Sequence, residues 1–159
     1  MCLVGNGDIY SIEQFNKLKE SGICASFMVG RGALCKPWIF KELKEGKISD
    51  PSAEQRLEWL KNFAWYLLDY FGTDRIGVEH SREQFLENYV YLCRYVPTGL
   101  LAKEQLLNER NVNYKGRSEL ETLLGSQSPE DWVRVSEMLF GPVPSGFMYQ
   151  PKHKSKGVV

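Results

Sequence analysis

Val4-Gly5-Asn6-Gly7-Asp8-Ile9 and, further on, Cys24-Ala25-Ser26-Phe27-Met28-Val29-Gly30-Arg31-Gly32 are the stretches that decide how this chain folds. Each is a short apolar run broken by glycines, and a segment with helical patterning separates them. Apolar run, glycine turn, helix, apolar run, glycine turn is the order of a βαβ unit, whose two strands run parallel. Met1 to Val4 ends at Gly5 and is short for a buried strand, so it reads as a strand entered partway. Cys24 to Val29 carries no charge, as expected of a strand covered on both faces in a parallel sheet.

The segment between the runs has a strong helix start. Ser11 is placed as N-cap, Gln14 closes a capping box, and Tyr10 and Phe15 are spaced for a hydrophobic staple. Gly22 ends that helix. After the second turn, Ala33 opens a further helical segment with Leu34, Trp38, Ile39 and Leu43 at helical spacing, Pro37 in its first turn and Gly46 as its stop. Two parallel strands and two helices leave both sheet edges unpaired, which parallel sheets rarely tolerate. Residues 1–46 are therefore expected to be the last two β/α units of a larger TIM (β/α)8 barrel.

Beyond Lys47-Ile48-Ser49-Asp50-Pro51 the apolar segments take a helical period. Ser52 with Gln55 is a second capping box, opening a helix with Leu57, Leu60, Ala64, Leu67, Leu68 and Phe71 on one stripe, closed by Gly72. Gly77 to Val96 carries Val78, Phe85, Tyr89, Leu92 and Val96 on another stripe and ends before Pro97. Leu100 to Leu107, Ser118 to Leu124 with a Ser118/Glu121 capping box, and Pro129 to Leu139 with Ser128 as N-cap supply three more helices. An all-α helical bundle domain is expected over 47–145. Residues 146–159 form a loop-like tail with the basic run Lys152-His153-Lys154-Ser155-Lys156, either solvated or in contact with phosphate.

Composition narrows the function classes. Apolar content of 43% and charged content of 25% are those of a soluble globular protein. A formal net charge of zero leaves any nucleic-acid partner to local clustering of charge. The four cysteines, Cys2, Cys24, Cys35 and Cys93, form no CxxC pair, and no histidines stand at ligand spacing, so neither a metal site nor a disulfide framework is expected. No apolar run approaches the ~20 residues of a membrane span. A cytoplasmic protein is the default, with the nucleus as second choice.

Two glycine-bracketed turns side by side make a place to hold phosphate. Backbone N–H groups at a strand-to-helix turn are unpaired and point outward, and the helix dipole adds positive potential there. Glycine lets the chain approach an anion without a Cβ in the way, and Arg31 adds a permanently charged fork. The loops after strands seven and eight of a (β/α)8 barrel are the commonest place for this device. The alternative is a pair of tight connections with no ligand. Asp8 is a turn residue or an acceptor for backbone N–H groups, since a carboxylate is a poor direct partner for phosphate.

No carboxylate pair or nucleophile triad can be assembled, so no catalytic residue is nominated. Cys35 is expected to be packed and inert, and His80 to have a capping or surface role. Arg82, Arg94, Lys103, Arg110, Lys115 and Arg117 lie in the helical part with Tyr114 among them. They are either an ordinary charged face or a cluster holding a folded RNA by its phosphates.

GNGDI, MVGRGALCKPWIF, GVEHSREQFLENYVYLCRYVP, VSEMLFGPVPSGF and PKHK, in this order, resemble the C-terminal part of the tRNA-dihydrouridine synthases. The likeness is closest to the eukaryotic class acting on a variable-loop uridine, and it covers essentially the whole chain. It implies an FMN-binding barrel followed by a helical domain that grips tRNA. Asn6, Gly7, Asp8, Gly30 and Arg31 would form the FMN phosphate site, and Arg82 with its neighbours would contact tRNA. In that family NADPH reduces the flavin, the flavin passes hydride to the uracil C5=C6 bond, and a cysteine supplies the proton. That cysteine lies in an Asn-x-Gly-Cys-Pro setting that does not occur here, so the chain alone is expected to be catalytically incomplete and the full-length protein to be a monomer. The rivals are a non-catalytic helical RNA-binding module with a vestigial barrel end, and a phosphosugar-type barrel that would leave the helical domain unexplained. Messenger RNA stays open as a second partner.

Overall fold

β1 (Val4–Asn6) and β2 (Ser26–Met28) run side by side in parallel, with Val4 opposite Ser26, Gly5 opposite Phe27 and Asn6 opposite Met28. The computed structural model describes residues 1–100 and 114–152. The crossover is α1 (Ile12–Glu20), started by the capping box its sequence predicts. Ser11 Oγ accepts the Gln14 N–H at 3.3 Å, while Gln14 Oε1 accepts from the backbones of Ser11 at 3.1 Å and Tyr10 at 2.8 Å. Orphan donors at the helix start are thereby satisfied.

Phe15 of α1 sets its ring edge-on to Phe27, with centroids 5.6 Å apart, so the helix lies on the sheet face that carries Gly5 and Phe27. A Cβ at Gly5 would stand 2.8 Å from Cys24 Sγ and 3.2 Å from the Phe27 ring, so glycine is what lets this packing close. The other face carries Val4, Asn6, Ser26 and Met28, all exposed. Two expectations are corrected here. β2 is three residues long and bare on one face, and β1 runs through Gly5 rather than stopping at it.

The helical segment after the second turn is two helices, α2 (Arg31–Cys35) and α3 (Ile39–Glu45), where one was expected. Pro37 is the reason. It has no N–H to donate, and its ring drives the preceding residue out of the helical region, leaving Lys36 at φ −132, ψ 86. The broken joint is tied by Glu42, which is 1% exposed and accepts from Lys36 Nζ at 2.8 Å and from the Ser49 N–H at 2.9 Å. Gly46 ends α3 in the left-handed region at φ 66. Gly32 is buried in α2 because a Cβ there would run into the Ile9 carbonyl.

The chain divides into two compact units, Met1–Asp50 and Pro51–Val159. The second is built from α4 (Ala53–Phe71), α5 (Arg75–Leu92), α6 (Glu119–Leu124) and α7 (Pro129–Phe140) around one core. Leu60 and Leu67 of α4, Phe85, Leu86 and Tyr89 of α5, Leu124 of α6 and Trp132 and Val135 of α7 form it. Ser52 and Gln55 make the expected capping box. α5 begins at Arg75, earlier than Gly77, because Asp74 caps it by accepting the Gly77 N–H at 2.7 Å. Gly77 instead lies inside the helix, where a Cβ would collide with the Phe71 and Gly72 carbonyls, so glycine lets the first turn of α5 sit against the end of α4. The Tyr89 hydroxyl donates to the Leu124 carbonyl at 3.2 Å and satisfies one end of α6. Burial, and then the neighbouring Cys93, push its pKa well up, so it stays a neutral donor. The helix expected from Leu100 to Leu107 falls almost entirely outside the described residues.

Candidate functional site

Parallel pairing places the outgoing ends of β1 and β2 next to each other, so Gly7-Asp8 and Gly30-Arg31 leave the sheet at the same end. Gly7 holds φ 143, which only glycine adopts without strain. A Cβ on Gly7 or on Gly30 would meet no atom within 4 Å, so the space above both backbones is open. Gly32, one residue past Arg31, is the opposite case, a glycine required by internal packing.

The two turns are linked by side chains. Arg31 Nη2 donates to Asp8 Oδ1 in an ion pair that is more than half exposed, and the Tyr10 hydroxyl lies 3.4 Å from the same oxygen. Asp8 sits at φ 29, a left-handed conformation that a non-glycine residue seldom takes and that Asp tolerates better than most. Asn6 ends β1 and is exposed. Open glycine backbones beside a guanidinium can hold an anion. The helix dipole adds little to this, because α2 spans only five residues.

Cys35 and Cys93 are buried, Cys24 is half-buried and Cys2 exposed, none of them in a disulfide. His80 is exposed and meets the Phe71 ring edge-on at 6.0 Å. Among the described residues, no group of His, Cys, Asp or Glu could hold a metal ion, and no helix is long and apolar enough to cross a membrane.

In the helical unit the basic candidates separate. Arg82 requires a correction: it is 5% exposed, and its guanidinium is used up internally. It donates to Ser136 Oγ at 3.0 Å and to the Gly141 carbonyl at 2.8 Å, with the Phe140 and Pro142 carbonyls at 3.4 Å, satisfying the end of α7. Burial first, opposed by the charge of Glu137, lowers its pKa. Arg94 is half-buried, donates from Nε to the Val90 carbonyl at 3.1 Å and lies over the Tyr91 ring. Lys115 and Arg117 are exposed and line a cleft of about 930 Å³ with Tyr114, Gln127, Asp131 and Arg134. Lys103 and Arg110 lie outside the described residues, as does the tail beyond Lys152. Lys152 itself pairs with Glu83 at 3.1 Å, and Glu83 and then Glu87 raise its pKa.

Two residues here escape a reading of the sequence. Arg134 pairs with Asp131 three residues away and so looks like any exposed helix face. Ser118 Oγ accepts the Glu121 N–H at 3.1 Å, which is half of the capping box the sequence predicts. The Glu121 carboxylate instead goes to Arg117, at 2.7 Å from the backbone N–H, 3.0 Å from Nε and 2.8 Å from Nη2, with Arg56 at 3.5 Å.

Two parallel strands with a helical crossover and glycine turns at one end, followed by a helical unit, define a partial α/β fold with an all-helical extension. The chain belongs to the dihydrouridine synthase (Dus) family, whose model matches residues 1–119 and so runs across both units. It is 51% identical over 156 residues to a mouse protein named tRNA-dihydrouridine(47) synthase [NAD(P)(+)]-like, covering 98% of this chain and 24% of that protein. A human protein of the same name is 49% identical over 156 residues, with the same coverage. The tRNA-dihydrouridine(47) synthase [NAD(P)(+)] of Chaetomium globosum is 45% identical over 157 residues, covering 98% of this chain and 22% of its own length. The chain thus spans about a quarter of the length of these relatives. No solved structure matches it.

Proposed function

We propose that this chain is the C-terminal part of an FMN-dependent tRNA-dihydrouridine synthase, which reduces uridine to 5,6-dihydrouridine in tRNA with NADPH. The observation that carries this is likeness to the mouse protein over 98% of the chain, strand turns and helical unit alike. Residues 1–46 would be the last two β/α units of the FMN barrel, whose other strands would pair with the two sheet edges and send side chains onto the bare face of Val4 and Met28.

The residues present fit the phosphate of FMN. The open space above Gly7 and Gly30 is a cradle that a side chain would fill, and Arg31 brings a positive charge to it. Asn6, Gly7, Gly30 and Arg31 would hold that group, with Asp8 part of the same site through its pairing with Arg31. When bound, flavin would supply the hydride for one carbon of the uracil C5=C6 bond, the other taking a proton from a donor that this chain does not provide. The chain's own part is to fix the cofactor's anionic end and to offer cations to RNA. Lys115 and Arg117, exposed on the cleft beside Tyr114, are better placed for RNA phosphates than Arg82. The family's proton-donating cysteine has no counterpart among Cys2, Cys24, Cys35 and Cys93, none of which stands in an Asn-x-Gly-Cys-Pro setting.

The test is a chimera in which this chain replaces the matching quarter of the mouse protein. Flavin absorbance after purification and dihydrouridine formation in tRNA are expected, and Gly30→Val should empty the flavin site by putting a side chain into the open space above that backbone. Salt-sensitive tRNA binding with no flavin would favour the alternative, a helical RNA-binding module with a vestigial barrel end.

A further inference from the structure

We propose that Asp8 is a positioning residue for Arg31, acting on the cofactor phosphate only through that guanidinium; this rests on the phosphate reading above. Asp8 presents a difficulty at such a site, because its negative charge opposes any anion brought near it. The ion pair resolves the difficulty. Arg31 Nη2 donates to Asp8 Oδ1 from the turn after β2 to the turn after β1, so the carboxylate's charge is matched by the cation it holds. A guanidinium has five N–H donors, so pairing through one leaves the others for an anion.

The geometry of Asp8 suits an anchor. Its left-handed backbone at φ 29 takes the chain out of the first turn while the carboxylate reaches across to the second, and the Tyr10 hydroxyl at 3.4 Å steadies the same oxygen. An unanchored arginine side chain is free about several bonds and loses that freedom when it grips a ligand. Holding it beforehand is preorganisation. The sign of the Asp8 effect therefore depends on Arg31. With Arg31 present Asp8 helps the phosphate, and without it Asp8 only repels.

The experiment is a double-mutant cycle in the mouse chimera, with FMN and riboflavin titrated separately by flavin fluorescence. Asp8→Asn keeps a residue that tolerates the left-handed turn and removes the charge. It should weaken FMN roughly two- to fivefold, the upper part of the range of an exposed charge pair, and leave riboflavin unchanged. In an Arg31→Gln background the same Asp8→Asn change should strengthen FMN binding. Equal weakening in both backgrounds, or equal weakening of FMN and riboflavin, would show Asp8 to be a turn residue alone and overturn the proposal. If the parent chimera binds FMN no better than riboflavin, the phosphate reading itself fails.

Discussion

Removing either member of the Arg56–Glu121 pair should have unequal consequences, and the inequality follows from who else each partner touches. Glu121 is 2% exposed and is the shared acceptor for Arg56 and for three groups of Arg117. Glu121→Leu would strand the Arg56 guanidinium, whose side chain is 7% exposed and whose Nε already has no hydrogen-bond partner. Leaving a buried charge uncompensated costs roughly 3 to 5 kcal/mol. Arg56→Met leaves Glu121 with all three Arg117 contacts and relieves the orphaned Nε. Its cost is the long 3.5 Å contact and a cation–π contact with the Tyr95 ring at 5.1 Å. That amounts to about 1 to 2 kcal/mol. At roughly 2 to 4 °C per kcal/mol for a chain of this size, Glu121→Leu should lower Tm by about 6 to 20 °C and Arg56→Met by about 2 to 8 °C. Tryptophan fluorescence during thermal and urea unfolding reads this directly, since Trp59, Trp65 and Trp132 lie in the helical unit. Equal losses from the two variants would refute the reasoning.

The same residue sets an acid limit. Burial pushes the Glu121 pKa up, but the Arg117 side-chain and backbone bonds, with the charges of Arg117 and Arg56, outweigh it and hold it below its ordinary 4.5. A depressed folded-state pKa contributes stability that is present above the unfolded value and lost as pH falls through the folded one. Urea midpoints of the parent chain should therefore drop as pH is taken below about 4.5, and Glu121→Gln should flatten that drop.

Arg82→Met should free the segment after α7, because one guanidinium holds the Gly141 carbonyl and its two neighbours; faster protease cleavage between Gly141 and Lys152, at an unfolding cost of about 2 to 4 kcal/mol, is the expected result. Unchanged cleavage would show that the segment is held by other contacts. Gly77→Ala, in most helices a gain of roughly 0.5 to 1 kcal/mol, should instead destabilise by about 1 to 3 kcal/mol, since the new methyl meets the Phe71 and Gly72 carbonyls. A higher Tm for that variant would place the α4–α5 approach elsewhere.

What could be read from the residues was the local chemistry that acts over three or four positions. Ser11 with Gln14 and Ser52 with Gln55 cap their helices as their spacing says, and Gly46 and Gly72 end theirs. The parallel strand pair followed from the order of runs and turns. What stayed hidden depends on partners distant in sequence. Arg82 sits at a helix position that looks solvent-facing until α7 arrives to bury it, and Glu121 reads as a local capping residue, while Arg56, 65 residues away, joins Arg117 at its buried carboxylate. Pro37 is compatible with a helix's first turn by its own ring, but its effect on Lys36, which splits α2 from α3, appears only in the backbone. In the candidate site the glycines and Arg31 were legible, while the tie between Asp8 and Arg31 needed the parallel register to become visible.

Among the described residues the sheet has two strands, so each of them is also a rim. Along both rims runs a line of main-chain groups ready to recruit another extended segment, next to a flank of bare Val4 and Met28 side chains. Handled by itself in solution, this polypeptide should associate with further copies through that seam and grow cloudy with concentration. A solubilising partner, or the sheet of a longer parent, would be needed to keep it dispersed.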